Sequence, residues 1–91
     1  MITEIKYAKR FRGQYRKADK EVRVAFSQTL ELFIEEPNHP MLRNHPLKEK
    51  FAGLLSIDVT DDWRAVFKEE QSGKQQVITF HMLGTHKELY G

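Results

Sequence analysis

The main change in the hydrophobic period of this chain falls near its middle, and that change limits the folds open to it. Ala8, Phe11, Tyr15 and Ala18 recur at three- and four-residue steps. Such steps fill one side of a helix, whose other side here carries Arg12 and Arg16. Val22, Ala25, Phe26, Thr29, Leu30, Phe33 and Ile34 form the buried stripe of a second helix. The Asp19 carboxylate can cap it by accepting from first-turn amides. Glu35, Glu36 and Pro37 end it, because a residue before proline is pushed out of the helical region. Beyond residue 50 the pattern is that of strands, at residues 53–60, 63–70 and 75–83. Thr60, Asp61 and Asp62 supply one turn between them, Ser72 and Gly73 the other.

The rest of the chain fits round this division. Ile2, Glu4, Ile5 and Tyr7 give a short N-terminal strand. Residues 38–50 hold His39-Pro40 and His45-Pro46, too much proline for regular structure, and read as a surface loop. The expected fold is α+β: a strand, a two-helix hairpin, then a three-stranded antiparallel meander, with the helices packed on one face. A length of 91 residues, 40% of them hydrophobic, supports one core, so residues 1–91 are expected to form one domain.

The absence of cysteine excludes a disulfide framework and a thiolate metal site, and points to a reducing cytoplasm. Met1 to Lys6 lack the features of a signal peptide, and no apolar run is long enough to cross a bilayer. The net charge of +2 conceals a basic zone, in which Lys6, Lys9, Arg10, Arg12, Arg16, Lys17, Lys20 and Arg23 face only Glu4, Asp19 and Glu21. This zone suits a polyanion or an acidic protein partner, with salt-dependent association. A solvated helix face accounts for the same charges.

The sheet face away from the helices is expected to be uncovered, so polar groups at strand ends there line an open surface. His45 enters from the loop, Asp62 and Arg64 start the central strand, and His86 follows the last one. Cleaving RNA without a metal requires a base for the 2′-hydroxyl, an acid for the leaving 5′-oxygen, and cations for the charged phosphorane. Histidine suits the first two tasks, and the planar fork of arginine suits the third. Lys48, Lys50, Arg12 and Arg16 are candidate phosphate contacts, and Trp63 is either a base platform or packing. Arg64 can instead pair with Asp62 or Glu69 across a hairpin. The spacing of the histidines matches no metal motif, so neither metal nor cofactor is expected.

His45-Pro46-Leu47, Asp62-Trp63-Arg64 and Gly84-Thr85-His86 together resemble the RelE/ParE superfamily of bacterial toxin-antitoxin modules, most closely its YafQ-like branch. That resemblance implies a toxin that cuts messenger RNA in the ribosomal A site and is held by an acidic antitoxin. It places His45, Asp62 and His86 on catalytic positions and Tyr90 where an aromatic residue positions a base. Relatives often carry histidine where this chain has Asp58, so Asp58 orients His86 or accepts a proton, or His81 takes over part of that role. A ParE-like inhibitor of DNA gyrase, or an inactive RNA- or protein-binding domain, is the alternative on the same fold.

Overall fold

The change of period is a change of layer. The computed structural model describes residues 1–91. Strand β1 (Glu4–Tyr7) leads into helices α1 (Lys9–Lys17) and α2 (Lys20–Glu35). Strands β2 (His45–Pro46), β3 (Leu55–Asp58), β4 (Trp63–Ser72) and β5 (Gln75–Thr85) follow, and α3 (His86–Tyr90) ends the chain. The sheet has five strands in the order β1-β5-β4-β3-β2, antiparallel except where β1 pairs with β5. Helices α1 and α2 together carry the chain away from β1, and the strand beside it, β5, is the last of the five along the chain.

The helix stripes bury against one sheet face. Phe11, Phe26 and Phe33 meet Phe67 and Phe80, with ring centroids 5.2 Å apart for Phe11 and Phe26, 5.3 Å for Phe26 and Phe80, and 5.0 Å for Phe33 and Phe67. Pairs at this spacing add about 0.5–1.5 kcal/mol each to the burial of the rings. Ile57, Ala65, Ile78 and Leu83 complete this layer from the strands.

Strict alternation along β5 would put Phe80 and Met82 on one face. A bulge between Val66 and Phe67 prevents it, because Phe80 pairs with Phe67 and Met82 with Val66, which leaves His81 as the extra residue. Met82 therefore joins the far face and Leu83 returns to the helix side. Strand β1 has stopped by then, and the Leu83 amide donates instead to the Gln14 side chain, at 2.7 Å.

Several expectations from sequence need correction. The sheet holds five strands, one more than expected, since β2 adds an edge beside β3. Residues 38–50 are not irregular: they contain 3-10 turns at Pro40–Leu42 and Glu49–Phe51 and the edge strand β2. Proline is tolerated in a first turn and on a sheet edge, where its missing N–H costs no ladder bond. Asp19 stands at the start of α2 without a side-chain capping bond. The far face is also not open along its length. Leu89 of α3 packs there with Val66 and Met82, and Leu47, Phe51, Leu54 and Tyr90 close round them.

Candidate functional site

What this second, smaller cluster leaves uncovered is a polar pocket of about 490 Å³. Strand register builds it. His45 pairs with Ser56, and Asp58 with Arg64, so all four side chains rise from the face opposite α1 and α2. Arg43 and Asn44 border them from the loop before β2, while His86 and Tyr90 close the pocket from α3.

Helix α3 is held in place by local chemistry. Thr85 accepts from the Glu88 amide at 3.1 Å while Glu88 accepts from the Thr85 amide at 2.8 Å, a reciprocal capping box. The His86 amide donates to the Asp62 carbonyl at 2.9 Å, tying the helix start to the β3–β4 turn. Gly84 permits the close approach of the helix, because a Cβ there would stand 3.2 Å from the Leu89 side chain. His86 and Tyr90 lie one turn apart and therefore share a face, their rings edge to face at 4.9 Å. The Tyr90 hydroxyl donates to Oγ of the fully buried Ser56 at 3.1 Å.

Asp58 is the electrostatic centre. Its two oxygens each meet a different guanidinium, Oδ1 with Arg64 Nε and Oδ2 with Arg43 Nε, both at 3.1 Å. Two cations around one carboxylate leave this corner net positive. Arg64 also donates through Nη1 to the carbonyls of Thr60 at 2.8 Å and Trp63 at 3.0 Å. Its partner is thus Asp58, not Asp62 or Glu69. Glu69 instead accepts from Gln76.

His45 is oriented by the main chain. Its Nδ1 lies 2.7 Å from the Arg43 carbonyl oxygen. A carbonyl only accepts, so Nδ1 carries the proton and the lone pair of the neutral ring sits on Nε2. Arg43 presents that carbonyl from the left-handed region, at φ 47. Such a conformation costs a non-glycine residue about 1–2 kcal/mol.

The structure brings His45, Asp58, Arg64, His86 and Tyr90 together and leaves the other candidates outside. The Asp62 side chain is exposed in the turn, and only its carbonyl reaches α3. Trp63 packs against the helix-side core. His81, at the bulge, borders Phe51, Leu54 and Met82 and not the pocket. Lys48 and Lys50 are exposed on the loop, Lys50 lying 5.3 Å from the centre of the Phe51 ring. Arg12 and Arg16 line a different groove, of about 400 Å³ between α1 and α2, with Tyr7, Tyr15 and Phe26. Burial, with the neighbouring Tyr15, pushes the Tyr7 hydroxyl above its ordinary range, so it stays protonated there. Arg43, Asn44 and Ser56 are pocket residues that sequence reasoning missed. Ser56 had a usable signal, since alternation from Asp58 puts it on the same face. Arg43 and Asn44 had none.

No group of three or more histidine, aspartate or glutamate side chains is arranged to hold a metal ion. No helix is long and apolar enough to cross a membrane. Among curated proteins there is no significant match. Solved structures give the fold. YafQ from E. coli strain BL21(DE3) is 23% identical over the whole of both chains, with a TM-score of 0.72. A YoeB/ParE toxin from Agrobacterium tumefaciens is 18% identical, over 92% of this chain and 99% of that one, with a TM-score of 0.75. The YafQ chain of an E. coli DinJ-YafQ complex is 25% identical over the whole of both chains, with a TM-score of 0.65. The family described as bacterial toxin of type II toxin-antitoxin system, YafQ, matches residues 3–91. The chain therefore belongs to the YafQ family of type II toxins.

Proposed function

We propose that this toxin is an endoribonuclease that cuts messenger RNA on the ribosome, in the cytoplasm, by acid-base chemistry without a metal. The observation that carries this reading is the convergence of His45 and His86, from an edge strand and a helix far apart in sequence, on one pocket with two guanidiniums. His45, with its Nε2 lone pair free, takes the proton of the 2′-hydroxyl. The oxygen attacks the adjacent phosphorus, and the bond to the 5′-oxygen breaks. His86, on the opposing element, gives that oxygen a proton. The products are a 2′,3′-cyclic phosphate and a 5′-hydroxyl. The arginines round Asp58 offset the charge of the phosphorane, and such a stabiliser contributes about 10²–10³ in rate. Tyr90, whose ring stands edge-on to His86, holds a base in this reading.

The partner in this reading is an acidic antitoxin. A 25% identical relative is solved bound to DinJ. The groove between α1 and α2 offers an apolar floor with Arg12 and Arg16 beside it, on the helix side of the sheet and away from the pocket. Several such charges together make association salt-dependent even where each ion pair is weak.

Expression of the toxin alone, followed by pulse labelling, tests the target. Protein synthesis should stop while DNA synthesis continues. Failure of DNA synthesis first, with translation intact, would replace this reading with inhibition of gyrase.

A further inference from the structure

Two arginines meet Asp58, but the fold treats them differently. The Arg64 side chain is only 15% exposed. Its Nε–H is spent on Asp58, and its Nη1 donates to two main-chain carbonyls. Only Nη2 is left for a ligand, and the group is held on three sides. Arg43 has the opposite character. Its side chain is 77% exposed, and Asp58, met through Nε, is its one polar partner. Both of its Nη nitrogens remain, and these are the donors that grip two oxygens of one phosphate. Because the Arg43 end of the pair lies in solvent and Asp58 keeps Arg64 when Arg43 leaves, the head of Arg43 is free to turn onto an incoming anion without stranding the carboxylate. Its main chain does not move with it, since the Arg43 carbonyl holds His45 and the Asn44 side chain donates to the Pro37 carbonyl at 2.9 Å.

We infer that Arg43 is the cation that grips the substrate phosphate, and that Arg64 belongs to the frame behind it. This refines the RNA-cleaving reading above and rests on it for the identity of the substrate. It also places one residue in two tasks, with its carbonyl setting the His45 tautomer and its side chain setting the position of the phosphorus beside that base.

The test is a titration of the intact protein with inorganic phosphate at constant ionic strength, following the Nε–H signals of the arginines by NMR. The Arg43 signal should shift saturably and the Arg64 signal should hold still. A chloride titration should not reproduce the Arg43 shift. The inference is overturned if Arg64 moves and Arg43 does not, if neither moves, or if chloride matches phosphate. Arg43→Gln, which keeps length and removes the charge, should lower messenger cleavage on programmed ribosomes about 10²-fold with an unchanged melting curve. Native cleavage by Arg43→Gln would also overturn it. The two readings fail separately. Phosphate on Arg43 without any messenger cleavage sinks the proposed function alone, whereas cleavage that ignores Arg43 sinks this inference alone.

Discussion

The two faces of one sheet are built for different purposes. The face under α1 and α2 is continuous and apolar, with Phe11, Phe26, Phe33, Phe67 and Phe80 interlocked and nearly inaccessible. The other face fully buries only Val66, Met82 and Leu89, rims them with Leu47, Phe51 and Leu54, and gives the area beyond to a charged pocket. A dry core cannot hold Asp58 and two arginines cheaply, since charge taken from water must be repaid by near-perfect pairing. A small satellite cluster at the edge of a wet pocket can. Separating the faces lets the large core supply stability while the polar face keeps groups that contribute little to it.

That separation can be broken by substitutions chosen from each face. The largest stability loss belongs to the helix side. Phe33→Ala should remove about 3–5 kcal/mol, a large share of what a small domain has, and abolish toxicity only by unfolding. Chemical denaturation measures it, and a loss under about 1 kcal/mol would mean that the core collapses readily around the missing ring. A smaller effect belongs to the boundary. Thr85→Ala removes one half of the capping box and should cost about 1 kcal/mol, or about 4–8 °C in melting temperature. Amide exchange in α3 should rise with little change in β4. Uniform acceleration across the sheet would instead tie the two faces into a single unit and contradict the separation drawn here.

How far the sequence disclosed this arrangement differs by face. The helix-side core was legible because three- and four-residue spacing is set by helix geometry, and Phe11, Phe26 and Phe33 sit on it. The far face was harder. Thr85 and Glu88 stand at capping-box spacing, the one local signal for α3, but nothing in that spacing says that Leu89 covers the far face. His81 was misplaced because alternation gives no notice of a bulge. Trp63 packs on the helix side, one of its two readings from sequence, whereas Asp62, read with Arg64 at the start of the central strand, lies in the turn before it and points to neither face. The pairing of Arg64 with Asp58 depends on register, which local pattern does not specify. Arg43 reaches the pocket through a left-handed residue in a proline-rich loop, and nothing in its neighbours marks that conformation.

The central claim is that the polar face, and not the core beneath it, performs the cleavage. It is tested most directly by measuring messenger cleavage on programmed ribosomes by His86→Ala, with a melting curve on the same sample. His86 is exposed and its amide bond to the Asp62 carbonyl survives the substitution, so the melt should match that of the parent. Loss of a proton-transfer group should lower the cleavage rate by a factor of about 10²–10⁴. Cleavage at the parental rate by the folded variant would contradict the account, as would a loss that appears only with unfolding.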